Sequence, residues 1–200
     1  MPVRIQTEDF DLSREVAQLR LAQGARNAGI GAIAVFVGTV RDVNEVDGAA
    51  SVVAQMTLEH YPGMTERALE AIVADAKSRW DIFDALVIHR VGSLDPLDQI
   101  VLVVALGAHR GAAFAACEFI MDYLKTQAPF WKKEATPQGA RWVEARAGDD
   151  AAAARWGLEP HTPSTGNASI QRASTETFAT NTAPISTAPT STAPTEGSRP

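Results

Sequence analysis

Apolar positions recur at two different periods along the first 156 residues, and each change of period marks a new element. Residues 3–7 alternate as a short strand, and Asp11 and Ser13 offer capping side chains for a helix reaching about Ala22. Residues 30–40 and 51–59 are rich in β-branched and apolar side chains and are predicted as strands. Between them, residues 41–48 read as a polar, mobile loop. Pro62-Gly63-Met64-Thr65 opens a helix to about Trp80, with Leu69, Ile72, Ala76 and Trp80 along one stripe. Two further strands, 85–91 and 99–106, are joined by a Gly-Ser-Leu-Asp-Pro turn, and a second amphipathic helix covers 111–126. Pro129 blocks its continuation, and short strands follow at 130–135 and 140–145. The pattern predicts an α+β or α/β domain built on a mixed sheet, without fixing the order of its strands.

The composition changes after Trp156. Residues 157–200 hold 16 Ser/Thr, 6 Pro and one aromatic residue, with Thr-Ala-Pro recurring at 182, 187 and 192. Such a segment buries too little apolar surface to offset its ordering entropy, so it is expected to be a disordered tail outside a domain spanning 1–156.

Charge and cysteine usage narrow the function classes. The net charge is −6, and without residues 157–200 the chain keeps 16 basic against 21 acidic groups. That balance argues against a general nucleic-acid binder, though not against a small basic pocket. The first eight residues lack the apolar core of a secretory signal, and the longest apolar runs, 30–38 and 100–108, fall far short of the ~18 residues a membrane helix needs. A single cysteine, Cys117, excludes an internal disulfide and a Cys-based zinc site, and its place beside Ile120, Met121 and Leu124 marks a buried structural thiol. His60 and His89 lack metal-ligand spacing, so no metal is expected. The expected setting is the cytoplasm, with neither membrane nor nucleic acid as a partner.

Candidate chemistry concentrates near residue 130. Three of the four lysines, Lys125, Lys132 and Lys133, fall within nine residues, whereas arginine carries almost every other positive charge of the folded part. Lysine is a compact ammonium whose proton affinity responds strongly to its surroundings. On a strand, Lys132 and Lys133 point to opposite faces, so at most one of them shares a pocket with Lys125. Taken singly, each residue has a plainer explanation: Lys125 complements a helix dipole beside Asp122, and the adjacent pair protects a solvated edge strand. His109 and Arg110 stand where an apolar strand gives way to a helix, a place where backbone amides and a guanidinium favour anions. Arg41 follows the strand 30–40, and Arg141 and Arg146 flank the last one. Together these cations suit a substrate with more than one negative charge. No Gly-x-x-x-x-Gly-Lys-Ser/Thr loop supports nucleotide hydrolysis.

Seven segments carry a resemblance to a known family: Phe36-Val-Gly-Thr-Val-Arg41, Leu58-Glu-His-Tyr-Pro-Gly-Met64, Ile88-His-Arg-Val-Gly92, Ala108-His-Arg110, Phe119-Ile-Met-Asp-Tyr-Leu-Lys-Thr126, Ala128-Pro-Phe-Trp-Lys132 and Arg141-Trp-Val-Glu-Ala-Arg146. In these residues, from about 30 to 156, the chain resembles the large, catalytic subunit of molybdopterin synthase. The resemblance implies an α/β hammerhead fold with an additional small antiparallel sheet, assembled as a homodimer and, with a small subunit, as a heterotetramer. It implies sulfur transfer to cyclic pyranopterin monophosphate from a separate ubiquitin-like subunit bearing a thiocarboxylate on its C-terminal Gly-Gly. By the same resemblance Lys125 and Lys132 are catalytic, and Arg41, His109, Arg110 and Arg146 bind substrate, some of them across the dimer; no cofactor is implied. Relatives commonly carry a histidine where Val43 stands, and the Ser/Thr/Pro tail has no family counterpart. The sequence ends Gly-Ser-Arg-Pro200 rather than Gly-Gly, so the sulfur carrier is expected to be a separate chain.

Two other readings compete. A module that docks a ubiquitin-like partner without turnover is opposed by retention of both lysines and the Arg/His pair. A lysine Schiff-base enzyme is chemically open to a perturbed lysine, and a borohydride-trappable adduct would reveal it.

Overall fold

The structure, a computed structural model, describes residues 2–46, 49–136, 139–143, 151–152 and 154–157. Strands β1 (Val3–Gln6), β2 (Ala32–Thr39), β6 (Ile82–Arg90) and β8 (Gln99–Gly107) form the main sheet in the order β1-β6-β8-β2, with β1 parallel to β6 and the other pairs antiparallel. The two central strands are nearly continuous apolar runs because both of their faces are covered. Helices α2 (Met64–Arg79) and α3 (Arg110–Thr126) cover one face, where Ala85, Val87, Val101, Val103 and Ala105 meet Leu69, Ile72, Ala76, Phe119 and Ile120. On the other face Leu86, Ile88, Leu102, Val104 and Leu106 meet Phe10 and side chains of α1 (Leu12–Leu21). The alternation along β6 and β8 thus sorts into two cores.

A second sheet lies at one end of the first. It runs β10-β9-β5-β7, from β5 (Gln55–His60), β7 (Gly92–Leu94), β9 (Phe130–Thr136) and β10 (Gly139–Val143), and every pair in it is antiparallel. Its inner face contributes Met56, Leu58 and Leu94 to a small core with Val40. The α+β class and the mixed main sheet agree with the pattern read from the sequence, and the additional antiparallel sheet agrees with what the resemblance implies.

Four features correct the expected elements. Part of the predicted polar loop is strand: β3 (Val43–Val46) pairs antiparallel with β4 (Ala49–Val52). The single strand expected over 51–59 is two, because the chain changes partners at Val53, whose N–H donates to the Asp42 carbonyl, and at Ala54, whose N–H donates to Ala135. The turn after β6 contains β7, and a 3₁₀ helix, Gly24–Gly29, precedes β2. Gly63, at φ +78°, supplies the backbone geometry that starts α2. Among the described residues no helix is long and apolar enough to cross a membrane. The expected tail lies outside the described residues apart from Gly157.

Candidate functional site

Helix α3 folds straight back over the sheet from β8, which sets where each candidate lies. Ala113 packs beside Gly107 at the end of β8, and Cys117 lies against the Val103 carbonyl in mid-strand, at 4.0 Å. The C-terminal turn of α3 therefore returns to the end of the sheet where β8 begins. Lys125 sits in that turn, next to buried Leu124 but itself exposed. Arg41 reaches the same end, since β2 runs antiparallel to β8 and Thr39 lies opposite Gln99. Val40 and Asp98 hold it there: the Val40 N–H donates to Asp98 and the Leu97 N–H donates back to Val40.

Between Lys125 and Lys132 the chain makes a tight reversal. The Gln127 N–H caps α3 on the Tyr123 carbonyl, and the Phe130 N–H closes a short turn on Ala128. Strand β9 then carries Lys132 and Lys133 to opposite faces, as the period of a strand requires. Lys133 turns outward with its ammonium 5.5 Å from the Trp142 ring. Lys132 turns inward, and its Nζ lies 2.8 Å from Oε1 of Glu134, which is fully buried. The expected edge strand is not one: β9 runs between β10 and β5, so these lysines serve no edge.

Glu134 was missed by the reading of the sequence. A carboxylate at 0% exposure beside Met56 and Leu58 is stable only if paired, and Lys132 pairs with it. The signal was available, because Glu134 stands two positions after Lys132 and must share its face. Lys132 thus has an anionic neighbour, where the sequence reading had named only cations around it.

His109 and Arg110 lie elsewhere. They form the N-cap and first residue of α3, both exposed, with no acidic residue in the first turn and no side-chain cap on the free amides. The strand–helix junction is as expected, yet Lys125 stands fifteen positions further along the helix than Arg110, about 22 Å along the axis. One chain therefore gathers Lys125, Lys132 and Arg41 at one end of the sheet and leaves His109 and Arg110 at the other. Arg146, and the side chain of Arg141, lie outside the described residues.

His89 ends the inward row of β6 after Ala85 and Val87 and is stacked on Phe130, with ring centroids 3.9 Å apart and planes 17° from parallel. Burial pushes its pKa down to about 4, assisted by the charge of His60 and opposed by its hydrogen bond to the Arg90 carbonyl. Burial also pushes the Cys117 thiol up to about 11, which suits a structural thiol. Asp122, considered as a partner for Lys125, accepts from Nε1 of Trp156 at 2.8 Å and from Arg155 at 2.9 Å. Among the described residues no cluster of three His, Cys, Asp or Glu side chains could hold a metal ion.

Comparison with known proteins gives the family of the chain. The family model described as "MoaE protein" matches residues 5–127. The molybdopterin synthase catalytic subunit of Ralstonia nicotianae is 58% identical over 172 residues, covering 86% of this chain and 93% of that protein. Its counterpart from Pseudomonas aeruginosa is 53% identical over 156 residues, 78% of this chain and 99% of the other. Among solved structures, the molybdopterin biosynthesis MoaE protein from Burkholderia ambifaria superposes with a TM-score of 0.64 at 63% identity, covering 78% of this chain and 98% of its own.

Proposed function

The chain belongs to the MoaE protein family, and on that premise we propose that it serves as the catalytic subunit of a molybdopterin synthase, an enzyme of molybdenum cofactor biosynthesis. In the finer reading, it transfers sulfur from the C-terminal thiocarboxylate of a separate small ubiquitin-like subunit to cyclic pyranopterin monophosphate, twice, to make the dithiolene. The observation that carries this reading is the pair of lysines on either side of one short turn, with Arg41 at the same end of the sheet. Both reactants are anions, so fixed cations bring them together and stabilise charge that develops during transfer. Expelling oxygen in favour of sulfur requires proton donors. Lys125, exposed at the helix end, takes that central role. Lys132, oriented by Glu134, supports it at the tail carbonyl or the phosphate.

The separation of His109 and Arg110 from the lysines favours a homodimer in which a second copy brings its Arg/His pair to the site. Strand β2 supports such an assembly. It is an edge of the main sheet with no charge or proline in Ala-Ile-Ala-Val-Phe-Val-Gly-Thr, and Ile33, Val35 and Phe36 are 37%, 41% and 41% exposed. An apolar edge of that length needs cover in solution.

Reconstitution tests the reading. The chain, thiocarboxylated small subunit and cyclic pyranopterin monophosphate are combined, and the carrier's C-terminus is followed by intact mass. Conversion of thiocarboxylate to carboxylate that requires both chain and pterin is expected. A stable complex without conversion would leave only the non-catalytic docking module.

A further inference from the structure

The reaction outlined above makes no use of His89. A buried imidazole is a polar group where an aliphatic side chain would cost less, so its retention calls for a geometric reason. The Arg90 carbonyl can only accept, so Nδ1, 2.9 Å away, carries the proton and fixes the plane of the ring. That plane lies flat on Phe130, the residue at which β9 begins. A second contact holds the same turn from the side of α2: the hydroxyl of fully buried Thr65 lies 3.2 Å from the Pro129 carbonyl and 3.1 Å from that of Tyr61. Phe130 is also paired in register with His60 on β5. Residues 128–130 are thus gripped by β6, α2 and β5, while the chain on either side leads to Lys125 and Lys132.

We infer that His89 is a positioning residue: with Thr65 it clamps the turn through Phe130 and Pro129 and so sets the spacing of Lys125 and Lys132. The inference rests on the proposed sulfur-transfer reading. A ring that stays neutral throughout the working pH range suits a wedge rather than an acid or base.

Steady-state kinetics of the complete complex test it, comparing His89→Ala, His89→Phe and Thr65→Val with Lys125→Ala and Lys132→Ala as references. Displacing one reacting group by about an ångström costs on the order of 100-fold in rate. His89→Ala is therefore expected to lower kcat by about 10- to 100-fold with KM for the pterin changed less than about threefold. His89→Phe, which keeps a stacked ring, is expected to recover most of kcat. A wild-type kcat in His89→Ala, or equal loss in the alanine and phenylalanine variants, would overturn the inference. Should His89→Ala fail to fold, Thr65→Val decides: a lowered kcat at unchanged KM supports the clamp and a wild-type kcat refutes it. Wild-type turnover in both lysine variants would instead remove the reading beneath it.

Discussion

Glu134 shows what a single side chain does at the site. Its carboxylate is fully buried on β9, between β10 and β5, and its pairing with Lys132 both neutralises a buried charge and fixes the ammonium of a proposed catalytic group. Glu134→Gln keeps the volume and removes the charge. It is expected to cost about 1–3 kcal/mol in urea unfolding and to slow turnover more than it weakens substrate binding. His89 makes a separate prediction about pH. Above its ordinary value near 6.5 the ring is neutral in both the folded and unfolded chain, and its contribution to stability is complete. As pH falls from 6.5 towards 4, the unfolded chain takes up a proton that the folded chain resists, so stability drops by at most about 1.4 kcal/mol per pH unit. Unfolding midpoints measured between pH 7 and 4.5 should show this slope in the wild type and a shallower one in His89→Phe. In the sequence His89 was legible as a histidine without metal-ligand spacing. The Phe130 stack was not, because it depends on two sheets meeting end to end.

At the scale of elements, periodicity located α2, α3, β6 and β8, since each buries a long stripe or an uninterrupted apolar run. It failed at β3 and the first half of β4, where cross-strand pairing alone makes the strand and no apolar stripe announces it. It also failed at Val53 and Ala54, where one apolar run is divided between two sheets. The place of β9 inside its sheet was hidden for a related reason: strand order follows from long-range pairing that no local pattern encodes. The aromatic cluster at the end of the described chain was hidden too. Trp156 packs edge-on against Trp80 and Phe119, at 5.5 and 5.7 Å, and its Nε1–H donates to Asp122 on α3. Trp156→Ala is expected to destabilise the domain by about 2–3 kcal/mol, less than a fully buried tryptophan because the side chain is partly exposed. Thermal unfolding of that variant beside a chain ending at Gly157, expected to match the full chain, checks both statements.

For the whole molecule, the arrangement of cations is the main consequence of the fold. The sequence named Lys125, Lys132, Arg41, His109 and Arg110 as candidates, and its predicted helix already set the last two about 22 Å from the first, but it could not show that Arg41 lies at the Lys125 end of the sheet. If a second copy supplies His109 and Arg110, the defect of Arg110→Ala and that of Lys125→Ala lie on different chains of each site. Dimers randomly assorted from the two variants would then regain about a quarter of wild-type activity, since half are mixed and each mixed dimer keeps one intact site. A site drawn from one chain would regain none.

The most direct test is single-turnover formation of the dithiolene by the complete complex, wild type beside Lys125→Ala. The account predicts product from the wild type and a rate lowered by at least about 100-fold in the variant, with its complex with the small subunit intact. Product at the wild-type rate from Lys125→Ala would contradict it.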